Sequence, residues 1–390
     1  MDRKKAAIFA LSLLTIMSTD TVAPLVKQIS TSFPNIDLAL IKQTITLPSL
    51  MMIFFGLIAG QLVRVIPKKT VLFIGLALYS VGGMAAGWSQ NFSSHLMLRA
   101  MLGAGTGLIS PVITSLIADY YQGKERADLV GYSFALSHFT AVVTPPLAAY
   151  IGAQNWRTAF WIYLIAPLVM IFAMLALPGV SRSHKEEKQV KKEPIPSMVF
   201  AYSAAALLTM VFFFIILTDL PYLIETKPGI SQFVSAFGLS ISTFGSTLAG
   251  LVFSRIFRYL KRWTVPLGLL LCGAGFWIAT TSMAGMLVMS GLLCIGTGIG
   301  LIIALIMLET TNSVGENDST AAIALVNSAF SVGIFLSPFF FAGLPKIFHF
   351  EENVLFNFQL SGMVFSICGL GALILILLPK KRQAIPTRYE

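Results

Sequence analysis

Asp20, Arg99, His138 and Asp219 each stand inside a long apolar run. Asp20 lies in Ser18-Thr-Asp20 with Pro24 after it, and Asp219 lies in Leu217-Thr-Asp219 with Pro221 after it. Burial disfavours the charged form of any carboxyl group, so an acid in such a run can take up a proton near neutral pH. It could also hold a cationic ligand, or simply hydrogen-bond near a helix end. Histidine titrates close to pH 6.5, so His138 could relay protons; a neutral ring hydrogen-bonded between helices is the other reading. The guanidinium of Arg99 could pair with a carboxylate, with Asp20 as the first partner to test, or bond to carbonyls of a neighbouring helix. Asp119 and Glu309 close two apolar runs and read as gate residues meeting loop arginines, or as solvated ends.

The elements that must position these groups are membrane helices. Hydrophobic residues make up 56% of the chain, charged residues only 11%, and the mean hydropathy is +0.81. A soluble domain carries about 25% charged residues. Apolar runs near the length needed to cross a ~30 Å hydrocarbon core recur throughout. Twelve spans are expected, at 6–27, 40–63, 70–88, 95–119, 128–152, 158–178, 199–225, 230–254, 264–283, 286–311, 319–344 and 355–379. Turn formers such as Pro67, Gly123 and Gly315 separate them. The first run is too long and uninterrupted for a signal peptide and reads as the first span. On this count Asp20 lies ~22 Å along its helix from Lys5, and His138 falls near the midplane.

One long polar segment, Gly179 to Pro196, interrupts the pattern near the middle. It has almost no apolar side chains and reads as a solvated linker. It divides the chain into 1–178, a basic linker 179–196, and 197–390. With both termini cytoplasmic, 21 of the 27 Lys and Arg fall in cytoplasmic segments, five (Lys42 among them) fall outside, and Arg99 lies within a span. That bias sets the orientation. The net charge of +10 therefore reads as topology and not as a nucleic-acid surface.

The two parts repeat each other. Ala104-Gly-Thr-Gly107 matches Ile295-Gly-Thr-Gly298 at an offset of 191, Thr144-Pro145 matches Ser337-Pro338 at 193, and the two Thr-Asp pairs match at 199. Six plus six helices in parallel repeat is a secondary-transporter architecture. Gly103, Gly105, Gly107 and Gly296, Gly298, Gly300 form small-residue faces suited to close helix packing, with direct substrate contact as the alternative. Phe212 to Phe214 and Phe339 to Phe341 could line an apolar pocket or face lipid.

Several motifs resemble the major facilitator superfamily. Gly60-Gln-Leu-Val-Arg-Val-Ile-Pro-Lys-Lys69 is similar to its Gly-x-Leu-x-Asp-x-x-Gly-Arg-Lys loop, through Gly60, Leu62, Lys68 and Lys69. Arg64 replaces the acid that helps latch the halves in that family, and Pro67 replaces the second glycine. Arg99-Ala-Met-Leu-Gly103-Ala-Gly105 resembles its Arg-x-x-x-Gly-x-Gly motif, and Trp156-Arg157-Thr-Ala-Phe160 its Trp-Arg-x-x-Phe stretch. In span 5, Pro145 and the small residues Ala148 and Ala149 resemble the drug–proton antiporter motif, without its glycines.

The resemblance implies an all-α membrane protein with the superfamily fold, twelve helices in two pseudo-symmetric six-helix bundles, and helices 1, 4, 7 and 10 around a central cavity. It implies proton coupling through Arg99, conformational roles for Gly60, Arg64, Lys68, Lys69, Asp119, Pro145, Glu309 and Pro338, and a plasma-membrane monomer. No phosphate-binding loop or metal motif is present, so no cofactor, metal or ATP is expected, and Cys272, Cys294 and Cys368 read as packing residues. The expected activity is not enzymatic: proton-coupled export of small amphiphilic compounds, with a narrower metabolite, sugar, siderophore or organic-anion carrier as the alternative. The expected partners are a small-molecule substrate, protons and lipid.

Overall fold

The computed structural model describes residues 2–177, 196–231, 233–314, 319–349 and 353–378. The expected linker, apart from Pro196, lies outside those residues, as do Gly315 and the basic tail beyond residue 378. The described backbone is helical, and its helices follow the expected spans to within a few residues. In order they are Arg3–Ser32, Leu38–Val65, Lys68–Trp88, Phe92–Tyr120, Gly123–Ile151, Trp156–Ala176, Ser197–Glu225, Phe233–Leu260, Thr264–Thr281, Gly285–Asn312, Ser319–Phe348 and Val354–Leu377, called spans 1 to 12 below.

Helicity is continuous over Phe233–Thr281, a stretch of 49 residues. As a straight rod it would be ~73 Å long, more than twice the hydrocarbon thickness. It turns instead at Lys261–Trp263, where Lys261 takes a positive φ of 46°. Spans 8 and 9 then both pack along span 10, a helix of 28 residues. The apolar stretches, eleven among the described residues when this one is counted once, are thus twelve crossings.

Local chemistry sets the helix ends. Free N–H groups of a first turn need acceptors. Asp37 Oδ1 accepts from Ala39 N at 2.8 Å before span 2, Asn91 Oδ1 from Ser94 N at 2.8 Å before span 4, and Asn353 Oδ1 from Leu355 N at 2.9 Å before span 12. Pro67 fixes the entry to span 3, and Gly123, at φ 55°, starts span 5. Span 1 breaks just beyond Asp20, where Pro24 enters a short 3₁₀ turn. Span 7 breaks at Phe214.

Packing repeats between the halves. Spans 2 and 3 pack on span 4, as spans 8 and 9 pack on span 10. A Cβ on Gly103 would come within 2.4 Å of Pro48 O, on Gly105 within 2.6 Å of Gly75 O, and on Gly107 within 2.6 Å of Met52 O. The counterparts are Gly296 at 1.9 Å from Ser242 O, Gly298 at 2.5 Å from Gly268 O and Gly300 at 2.4 Å from Ser246 O. These six glycines are therefore helix-contact positions. Their matching neighbours pair Gly105 with Gly298, an offset of 193, so the alignment of Gly105 with Gly296 at 191 is corrected by two residues. The cation-capped end of span 3 recurs at the end of span 9 at the same offset, Gly87 and Ser89 matching Thr280 and Ser282. Arg157 Nη1 donates to Gly87 O and Ser89 O, and Lys227 Nζ donates to Thr280 O and Ser282 O.

The halves meet along two seams, span 2 with span 11 and span 5 with span 8. Ser240 Oγ donates to Val142 O across the second, at 2.5 Å.

Candidate functional site

A cavity of about 270 Å³ lies between the halves. Asp20, His138 and Pro145 of the expected site residues line it. Most of its wall is apolar: Met210, Phe213, Phe214, Leu217, Ile299 and Ile303 are among its residues, and Ser49, Ser242 and Thr243 add hydroxyls. Asp20 is the last residue of the first helical piece of span 1, and Oδ1 accepts a hydrogen bond from Thr19 Oγ1 at 2.9 Å. His138 stands on span 5 with Nδ1 3.3 Å from Thr247 Oγ1 of span 8, and its ring lies 4.4 Å from that of Phe134. The interhelical hydrogen-bond reading of His138 is therefore realised, in a position that also faces the cavity. Phe213 and Phe214 face the cavity too, whereas Phe212 packs edge-on against Phe340 and Phe341.

Arg99 does not meet Asp20. It is fully buried within the first half. Its Nε donates to Thr44 O at 2.7 Å, Nη2 to Ser18 O at 2.6 Å, and Nη1 to Tyr163 Oη at 3.1 Å. One side chain on span 4 thus ties together spans 1, 2 and 6. The carbonyl reading of Arg99 holds, and the carboxylate pairing is corrected. A planar fork of donors, with Nε, Nη1 and Nη2 fixed in different directions, suits three acceptors on three helices.

Asp219 also lies outside that cavity wall. It forms an ion pair across the halves with Lys42 of span 2, Nζ to Oδ1 at 2.5 Å, with both side chains at most 2% exposed. Asp219 Oδ2 accepts from Thr218 Oγ1 at 2.6 Å, and the Lys42 ammonium sits 6.0 Å from the centre of the Tyr222 ring. Lys42, expected in an outside loop, is instead buried between helices. Its signal in the sequence is a stripe: Lys42, Thr46 and Ser49 recur at helical spacing on one face of span 2. Gln43 adds a contact across the first seam, Nε2 to Phe335 O at 3.4 Å. Nearer the same membrane face, Lys27 pairs with Glu225 and Lys346 lies 3.7 Å from Asp37. Polar ties between the halves therefore shut the cavity toward the end opposite the described N-terminus, called here the far end.

The expected gate residues behave differently. Lys68 Nζ pairs with Asp119 Oδ2 at 2.6 Å, and Lys69 donates to Met174 O and Leu177 O at the end of span 6. Both contacts stay inside the first half, and Asp119 meets a loop lysine where an arginine was expected. Gly60 and Arg64 are exposed, and a Cβ on Gly60 would meet nothing within 4 Å. Glu309 is half-buried near the end of span 10. Pro338 is buried in span 11, next to Ser337, whose Oγ donates to Val211 O at 2.7 Å. Among the described residues no cluster of His, Cys, Asp and Glu is arranged to hold a metal ion.

The chain resembles known transporters in sequence and in fold. Over 124 residues it is 27% identical to the multidrug transporter protein MdtP of Bacillus subtilis, covering 31% of this chain and 23% of that protein. Over 205 residues it is 25% identical to the quinolone resistance protein NorA of Staphylococcus aureus, covering 52% of this chain and 47% of that one. The matched stretches thus span between about a quarter and a half of these relatives' lengths. A POT family transporter crystallised with a thioalcohol-conjugated peptide superposes with a TM-score of 0.77 at 13% identity, over 96% of both chains. A D-xylose–proton symporter superposes with a TM-score of 0.73 at 16% identity, over 95% of this chain and 96% of that one. At such identities the likeness is one of fold. The family model of the Major Facilitator Superfamily matches residues 8–338, and this multi-pass membrane protein belongs to that family.

Proposed function

We propose that the protein is a proton-coupled exporter of small amphiphilic compounds, cations among them, working by alternating access. One observation carries this reading: the cavity between the halves is walled mainly by Phe, Leu, Ile and Met and holds the single carboxyl group of Asp20. An apolar wall removes an amphiphile's hydrocarbon surface from water, at roughly 25 cal/mol per Å². A lone carboxylate supplies the complementary charge, and a protonated one withdraws it. Proton and cation therefore compete for one group, which is the minimum needed for exchange. The names of the relatives MdtP and NorA point the same way. In this reading the basic linker and both termini face the cytoplasm of a plasma membrane, so the far end opens outward. The two halves, 1–178 and 197–390, rock about the cavity as units.

The test uses purified protein in liposomes with an imposed pH gradient, following ethidium. Wild type is expected to move the dye against its gradient and Asp20→Asn to lose most of that movement. Dye movement that ignores the pH gradient would overturn the coupling. No movement at all, with a sugar or organic anion carried instead, would replace this reading with that of a metabolite carrier.

A further inference from the structure

We infer that Lys42 is a mobile counter-cation shared by two carboxylates, held on Asp219 when the far end is shut and passed to Asp20 when it opens. This deepens the exporter reading and rests on it for the role of Asp20.

Three observations lead there. The first is the likeness of the acceptors. Asp20 and Asp219 each accept from the hydroxyl of the threonine before it, at 2.9 Å from Thr19 and 2.6 Å from Thr218. They do not occupy equivalent places: Asp20 ends the first piece of span 1, and Asp219 lies past the break of span 7.

The second is depth. Arg99 holds Ser18 O at 2.6 Å and Thr44 O at 2.7 Å with one guanidinium group, so those two backbones are level. Spans 1 and 2 are consecutive and run in opposite directions. Asp20 lies two residues beyond Ser18, and Lys42 two residues before Thr44. Each is therefore ~3 Å nearer the far end than the carbonyl that Arg99 holds. Asp20 and Lys42 share a level on helices that Arg99 fastens to each other. A flexible four-carbon stem carries the lysine ammonium between neighbouring groups.

The third is which half each residue belongs to. Lys42 and Asp20 move together with the first half, whereas Asp219 belongs to the second. Opening the far end must pull Asp219 away from Lys42. A buried ammonium left alone is costly, so it needs a new acceptor. Asp20 is the acid at its own depth in its own half. The other charged or titratable groups on the helices packed around them have other partners or places. Arg99 and Tyr163 bond each other, Lys27 pairs with Glu225, His95 bonds Ala86 O, and the Tyr222 ring lies beside Lys42. His138 faces the cavity from span 5.

The exchange gives the two carboxylates opposite duties. While Lys42 neutralises Asp219, Asp20 is available in the cavity to a proton or a cationic substrate. While Lys42 neutralises Asp20, substrate is displaced and Asp219 is available to a proton at the far end. A simple clasp between Lys42 and Asp219 would not involve Asp20 at all, and that separates the two accounts.

The test reads conformation without any substrate. Spin labels go on Thr31→Cys and Ser231→Cys, which line opposite sides of the cleft at the far end, in protein whose three native cysteines are alanine. Distances are measured by pulsed electron resonance in lipid nanodiscs. Asp219→Asn is expected to bring up a long-distance peak. Adding Asp20→Asn is expected to abolish that peak, and Asp20→Glu in its place to keep it, which guards against a merely misfolded variant. A long-distance peak that survives Asp20→Asn would overturn the exchange, and so would Asp219→Asn that leaves the short distance unchanged. Failure of ethidium export with this pattern intact would count against the exporter reading alone.

Discussion

At the scale of single residues, two buried cations do different work. Arg99 is structural glue between four spans of one half, and Lys42 is a tie between halves. Replacing Arg99 with Lys keeps the charge but trades three spread nitrogens, each bonded to a different span, for one compact ammonium that cannot sit at all three positions. With about 1–3 kcal/mol lost for each buried acceptor left unpaired, Arg99→Lys is expected to lower stability by roughly 2–4 kcal/mol. Thermal unfolding in detergent checks this, and an unchanged midpoint would contradict it. For the Lys42–Asp219 pair, removing one partner strands a buried charge at a cost of about 3–5 kcal/mol, whereas removing both does not. Lys42→Met should therefore unfold earlier than wild type, and Lys42→Met with Asp219→Asn should recover most of the loss. The sequence placed Arg99 inside a span but left its partners open, because carbonyl acceptors have no sequence signature. Lys42 escaped for another reason: it lies close to the start of span 2, where a loop cation and a buried one look alike until the partner helix is known.

At the scale of elements, glycine spacing and the turn formers Pro67 and Gly123 were legible, and register was only partly so. The repeated Gly-Thr-Gly string aligned Gly105 with Gly296, but the backbones those glycines touch pair Gly105 with Gly298. A short motif built on alternate glycines matches itself when shifted by two, and only the neighbouring helices remove the ambiguity. The contacts also rank the glycines. A methyl group on Gly296 would lie 1.9 Å from Ser242 O, so spans 8 and 10 must move apart. Gly296→Ala is expected to cost about 1–3 kcal/mol, as overpacking does. Gly60→Ala meets open space and should stay within about 0.5 kcal/mol of wild type. Comparing the two in one unfolding series tests the packing, and equal losses would contradict it.

At the scale of the whole molecule, composition and the recurrence of apolar runs were enough for the membrane class and the count of spans, and the motifs around Gly60, Arg99 and Trp156 pointed to the superfamily. The central cavity was only half legible. Asp20, His138 and Pro145 were picked out by type and position, while Asp219, matched to Asp20 at an offset of 199, lies beyond the break of its span and is committed to Lys42. A Thr-Asp pair is too short a match to fix register, and the helix breaks at Thr21 and Phe214 align spans 1 and 7 at 193 instead. The central claim is that a proton and an amphiphilic cation compete for Asp20. The direct measurement is proton release from purified protein in weakly buffered detergent as tetraphenylphosphonium is added, alongside its binding isotherm. About one proton released per cation bound, with release abolished and binding weakened in Asp20→Asn, is the predicted result. Cation binding without proton release, or release that Asp20→Asn leaves intact, would contradict the account.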